Sequence, residues 1–108
     1  MLEPLSVAAG TETLDVETPG FTLADFEVGG EDPGGVRFVE VDVAFARSFS
    51  EPPVVHVGLV AFDISDADCA RLRVRAEKIR PEGFSIRVET WLHTRVWSTS
   101  VSWLAIGR

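Results

Sequence analysis

Apolar and polar residues alternate with a period of two over most of the chain beyond residue 36. In Arg37–Phe45, Val39, Val41, Val43 and Phe45 alternate with Glu40, Asp42 and Ala44. Successive side chains of an extended backbone point to opposite faces, so this spacing predicts a strand with one face buried. Pro52-Pro53 marks a turn, because proline fixes φ and has no N–H for a ladder. Val54–Phe62 is apolar at nearly every position and predicts a central strand covered on both faces. Asp63–Ala70, with Asp63, Asp66 and Asp68, predicts a polar loop or a single turn of helix. Alternation resumes in Arg71–Ile79, where Leu72, Val74 and Ala76 oppose Arg71, Arg73, Arg75 and Glu77. Arg80-Pro81-Glu82-Gly83 is a turn in which proline presets φ and glycine is free to take φ > 0. Phe84–Leu92 sets Phe84, Ile86, Val88 and Leu92 against Arg87, Glu89 and Trp91. His93-Thr94 is a second tight turn, and Val96–Ile106 is a last strand. No segment long enough for a helix holds a helical period. Short strands with regular turns predict an all-β sandwich or barrel.

Residues 1–36 lack this regularity. Gly10, Pro19, Gly20, Gly29, Gly30, Pro33, Gly34 and Gly35 break them repeatedly. They predict a loose N-terminal arm with one strand, Phe21–Val28, and a Gly-rich loop over 29–35 that reads first as a turn. The core then spans 37–108, the whole forming one domain.

The hairpin around Pro81 has a register that the pattern sets. Its inward residues are even-numbered on both strands, and a one-residue slip would flip a whole face. Centring the turn on Pro81 puts Arg75 opposite Arg87, Arg73 opposite Glu89 and Arg71 opposite Trp91. One face of this sheet therefore collects Arg71, Arg73, Arg75, Arg87, Glu89 and Trp91. It is either a solvated charged face or, at the Arg71–Trp91 end beside His93, part of a binding site. Arginine supplies a planar fork of donors. Tryptophan supplies a flat wall for the C–H face of a pyranose. A donor beside a wall is what sugar binding requires.

Composition narrows the partners. The chain has 108 residues, 45% hydrophobic and 25% charged, as in soluble globular domains. Its net charge of −7 argues against nucleic acid, whose binding rests on Lys and Arg displacing counterions. The single cysteine, Cys69, excludes an intrachain disulfide. Met1–Leu5 has no basic region or apolar run of a secretory signal, and no stretch is apolar enough to span a bilayer. This predicts synthesis in the cytoplasm without membrane insertion, with later release or carriage on a particle left open.

Several segments together resemble the H-type lectin domain, the family of the snail agglutinins and the C-terminal part of the discoidins. They are Phe49-Ser50-Glu51-Pro52-Pro53-Val54-Val55, Asp63, Arg71-Leu72-Arg73-Val74, Pro81-Glu82-Gly83-Phe84, Glu89-Thr90-Trp91-Leu92-His93-Thr94 and Val101-Ser102-Trp103-Leu104-Ala105-Ile106. The resemblance covers about 37–107. It implies a six-stranded antiparallel β-sandwich that forms trimers, sometimes stacked to hexamers. It also implies binding of terminal N-acetylgalactosamine or galactose between neighbouring subunits. Residue by residue, Arg71 stands where the family has a sugar-contacting arginine and Trp91 matches the tryptophan of its turn motif. Trp97 falls where a tyrosine is usually supplied by the neighbouring subunit. Asp32-Pro33-Gly34 resembles an acidic loop of the family, which would bring Asp32 and Gly34 to the sugar. The family's sugar-contacting histidine falls at Leu92, and His93 is one place later. Either a backbone shift brings His93 into that role, or Leu92 is a core residue and the specificity differs.

An enzyme is not the expectation. Nucleophilic catalysis needs a nucleophile, a base and an orienting group within reach, and the chain offers only His56 and His93 as imidazoles. His56, inside an apolar run, reads as a hydrogen-bonded core residue. Cys69 lies near Asp66 and Asp68, which disfavour a thiolate. Two His and one Cys lack zinc-site spacing, and the Asp63–Asp68 loop lacks the Gly and terminal Glu of a calcium loop. No metal, cofactor or catalytic residue is expected. Two functions remain: a glycan-binding lectin, or a structural trimerisation or receptor-binding module of a phage-like particle with altered or lost sugar specificity.

Overall fold

The computed structural model describes residues 4–24, 35–65 and 69–108. They form six antiparallel strands: β1 (Ser6–Asp15), β2 (Arg37–Ala44), β3 (Val54–Ile64), β4 (Arg73–Arg80), β5 (Gly83–Thr90) and β6 (Val96–Gly107). These make two three-stranded sheets, ordered β1-β6-β3 and β2-β5-β4. Between the sheets lie Leu14, Val39, Val43, Phe84, Ile86, Val88, Val96, Val101 and Ala105, all buried. At one end Phe45 meets Phe49 edge-on at 5.1 Å, and Trp103 packs on Phe45 and Phe84 at 5.8 and 5.4 Å. The all-β expectation holds, and the inward sets of β2, β4 and β5 follow the alternation of the sequence.

The N-terminal expectation is overturned. Ser6–Asp15 is not a loose arm but a strand that pairs with β6 along its whole length, from Ser6–Gly107 to Asp15–Ser98. Its inward residue Gly10 is small because the indole of Trp103 fills the space it faces, while Leu14 further along the strand enters the core. A Cβ on Gly10 would lie 2.8 Å from that ring. Conversely, Phe21–Ala24 is not a strand. It is a turn-rich segment whose buried Leu23 plugs the sandwich, with the Leu23 carbonyl accepting from Val96 N at 2.9 Å. Residues 25–34, and with them the rest of the expected strand and most of the Gly-rich loop, lie outside the described residues.

β3 is not the central, doubly covered strand its apolar run suggests. β6 takes the centre, pairing with β1 on one side and β3 on the other, and β3 becomes an edge. Val54, Leu59, Val60 and Phe62 are exposed as a result, and so is His56, which is therefore no core histidine. Gly83 also differs from expectation. It does not take a positive φ but opens β5, where an added Cβ would collide with the backbone carbonyl of Val43. Near this hairpin the left-handed residue is Lys78, φ 53°, at an irregularity in the β4–β5 ladder.

Candidate functional site

The outer face of the β2-β5-β4 sheet is built in cross-strand rows. The ladder pairs Arg73 with Glu89 and Arg75 with Arg87, in the register set by the hairpin pattern. On the other side of β5, Phe38 stands opposite Glu89 and Glu40 opposite Arg87. Glu89 is only 2% exposed although it points outward, because arginines cover it. Arg73 grips it with two bonds, Nε to Oε1 at 3.3 Å and Nη2 to Oε2 at 3.1 Å. Arg75 adds Nε to the same Oε1 at 2.9 Å and a second, shorter bond from Nη2. Arg87 Nε lies 3.5 Å away, and its guanidinium stacks 3.6 Å over the Phe38 ring. Burial pushes the Glu89 carboxyl upward, but the hydrogen bonds and charges of Arg73 and Arg75 outweigh it and hold it below the usual carboxylate range. The charged face is thus tied together by ion pairs around a buried carboxylate, with Arg73 and Arg75 still about half exposed.

One end of this face runs into the turn between β5 and β6. The ladder stops at Arg73–Glu89, so the expected pairing of Arg71 with Trp91 is not made. Instead the Arg73 guanidinium sits 5.3 Å from the centre of the Trp91 ring. Arg71 reaches across to the turn, where its Nη1 donates to Cys69 O at 3.2 Å and to Thr94 Oγ1 at 3.3 Å. Thr94 Oγ1 donates to Cys69 O at 2.7 Å, and Thr90 Oγ1 donates to Arg71 O at 2.6 Å. Two buried threonines therefore fasten the backbone and head group of Arg71 beside the turn that holds Trp91.

The turn itself is held from beneath by Arg37, a residue the sequence reading passed over. It is buried, and its Nη2 donates to Leu92 O and Thr94 O, each at 2.8 Å, while Nη1 reaches Leu23 O at 3.3 Å. Its position on the inward parity of β2, in line with Val39 and Val43, is the signal that could have found it. Leu92 adopts φ 56°, an uncommon conformation for a bulky side chain. It is exposed, which overturns its reading as a core residue, and the adjoining His93 is exposed as well.

Trp97 belongs to the other sheet. Ile64 pairs with Val96 and Asp63 with Ser98, so Trp97 is the extra residue of a bulge in β6. Thr99, Val101 and Ala105 face inward, and strict alternation would turn Trp97 inward with them. The bulge re-aims it to the surface, where it is half exposed. Of the expected site residues, the fold brings Arg71, Trp91 and His93 to one end of the molecule and leaves Trp97 outward on β6. Asp32 and Gly34 lie outside the described residues. Among the described residues no three His, Cys, Asp or Glu side chains gather as a metal site; Asp66 and Asp68 lie outside them.

Residues 40–106 match the H-type lectin domain. A Fuscovulum blasticum protein named ATP synthase subunits region ORF 7 is 38% identical over 87 residues, 79% of this chain and 76% of that protein. Its name states no ligand or activity. Recombinant discoidin II of Dictyostelium discoideum superposes with a TM-score of 0.77 at 22% identity, over 95% of this chain and 37% of that one. The tailspike protein gp49 of Pseudomonas phage LKA1 superposes with a TM-score of 0.64 at 15% identity, over 94% of this chain and 15% of the tailspike. The chain thus corresponds to a minor part of each of these larger structures, and both likenesses are of fold.

Proposed function

The chain belongs to the H-type lectin domain family, and from that premise we propose that it binds terminal galactose or N-acetylgalactosamine at the end formed by Arg71 and the Trp91–Thr94 turn. The observation that supports this most is the fastening of Arg71. Thr94 and the Cys69 carbonyl hold its head group, and the Thr90 hydroxyl holds its backbone, on the turn that follows Trp91, whose half-buried ring lies under the Arg73 guanidinium. A planar donor group fixed at the turn that carries an aromatic ring suits a sugar that offers hydroxyls on its rim and C–H groups on its face. The domain acts by binding, without catalysis. His93, and Asp32 and Gly34 of the acidic loop, complete the site.

The site is shared between subunits of a homotrimer in this reading, with Trp97 contributed across the interface. An apolar patch on the outer face of the β1-β6-β3 sheet supports assembly. Val7 and Val54 are 65% and 77% exposed and both lie opposite Ile106 on β6, with the exposed Leu104 on the same face two residues before it. Contiguous exposed apolar residues of this kind mark interaction surfaces. Single sites for a monosaccharide are weak, of the order of millimolar or about −4 kcal/mol, and a trimer compensates through multivalency.

A second reading, a receptor-binding or trimerisation module of a phage-like particle, draws on the fold's occurrence in a tailspike. Titration with galactose and N-acetylgalactosamine separates the two. Saturable binding that Arg71→Ala abolishes supports the lectin site. A folded trimer that binds neither sugar at tens of millimolar favours the second.

A further inference from the structure

Resting on the lectin reading, we propose that Arg73 is a positioning residue of the sugar site: it sets the Trp91 ring through a guanidinium whose own plane is fixed by the buried carboxylate of Glu89. β5 ends at Thr90, and Trp91 is the first residue beyond it. The last rung toward β4 is Arg73–Glu89, and the last toward β2 is Arg37–Thr90. No rung on either side reaches Trp91, so the sheet does not fix the residue that the site uses as its wall. Arg73 touches it instead, with its guanidinium carbon 5.3 Å from the ring centre.

A guanidinium has an edge that donates and a face that stacks. Arg73 uses its edge on Glu89, with Nε to Oε1 at 3.3 Å and Nη2 to Oε2 at 3.1 Å. Two bonds to one carboxylate fix the plane of the group, and with it the side that is turned to the indole. The carboxylate is itself held still, because Glu89 is 2% exposed while Arg73 is 49% exposed. An exposed cation over an aromatic ring is by itself a weak and adjustable contact. Anchored at its edge, the same cation becomes a fixed stop. A sugar that reaches the half-buried Trp91 then meets a ring whose tilt is already set, which lowers the ordering cost of binding. Arg75 provides the contrast. It bonds the same Glu89 through Nε and Nη2 and also pairs with Glu77. Of the two arginines on this carboxylate, Arg73 is the one that links it to Trp91.

The test is a titration of the intact protein with galactose and with N-acetylgalactosamine, followed through the indole N–H signals of its three tryptophans by NMR. Trp91→Phe identifies the Trp91 signal, and urea unfolding first shows each variant to be folded. Arg73→Lys keeps a positive charge for Glu89 and removes the planar face. It should move the Trp91 signal before any sugar is added. It should also weaken sugar binding at least about fivefold, the scale of one lost cation–ring contact. Arg75→Gln takes a comparable ion pair from Glu89, yet should leave that signal in place and change affinity by less than about twofold. Unaltered affinity in folded Arg73→Lys, or equal losses in the two variants, overturns the inference and leaves the lectin reading standing. Weaker binding with the Trp91 signal unmoved overturns it too, because Arg73 would then meet the sugar itself. Arg73→Gln stands in if the lysine variant does not fold. Failure of both to fold would make Arg73 a residue of the fold alone and overturn its role in the site. Failure of the folded parent to bind either sugar sinks the lectin reading, and the inference with it.

Discussion

Among the described residues, Arg37 and Glu89 are the two charged side chains that folding buries, and each is tied to the site. Arg37 holds three carbonyls of the segments around Leu23 and the Leu92–Thr94 turn. Charged hydrogen bonds contribute about 1.5–3 kcal/mol each at most, and leaving buried acceptors unmet adds a penalty. Arg37→Met is therefore expected to lower unfolding free energy by about 2–4 kcal/mol and to weaken sugar binding as the turn loosens; urea unfolding with binding assays checks both. Glu89 has a depressed folded-state pKa. Its contribution is present above the ordinary carboxylate range, near 4.3, and is lost as pH falls through the lower folded value. Glu89→Gln should be less stable than the parent at pH 7, and the gap should shrink as pH drops below about 4. A gap independent of pH would contradict the clamp. Leu92 at φ 56° offers a third test: Leu92→Gly relieves left-handed strain of about 1–2 kcal/mol against a smaller entropic loss, so its melting temperature should rise slightly or stay level. At this scale the sequence made the arginine face legible, because parity puts these residues on one face and a turn centred on Pro81 sets Arg73 opposite Glu89 and Arg75 opposite Arg87. The burial of Glu89 was not legible, since it depends on side chains folding down over it.

Among the elements, β5 and β6 are the two sheet centres and β1–β4 the edges. The chain's alternation identifies β2, β4 and β5 because their inward residues are large. β1 escaped because Trp103 takes the space at Gly10, leaving Leu14 as the one large inward side chain among Ala8, Gly10 and Glu12. The expected central place of β3 is not observed, because an apolar run reads alike in a covered central strand and in an edge strand with exposed apolar residues. The Trp97 bulge is equally silent in sequence, since one added residue shows only once the register on both sides is known. A test at this scale is Gly83→Ala, whose new methyl group would meet the Val43 carbonyl. The β2–β5 pair must then shift, and a loss of about 1–3 kcal/mol, typical of overpacking, is expected in thermal or chemical unfolding. Unaltered stability would show that the close approach of β2 and β5 is not required.

For the whole molecule, the two sheets present unlike outer faces. The β2-β5-β4 face is an arginine–carboxylate lattice leading to Trp91, and the β1-β6-β3 face has an apolar end at Val7, Val54, Leu104 and Ile106. If the apolar end is the seam of a trimer, Val54→Asp should convert trimer to monomer in light scattering and weaken multivalent glycan binding far more than monosaccharide binding. A monomeric parent protein would refute the seam. The central claim, a lectin whose site is the Arg71–Trp91 end, is tested most directly by a glycan array run on protein of measured assembly mass. The parent should bind galactose- or N-acetylgalactosamine-terminated glycans, and Arg71→Ala and Trp91→Ala should lose that binding with assembly mass unchanged. Binding by either variant at the parent's level, or no glycan bound by the folded parent, would contradict it.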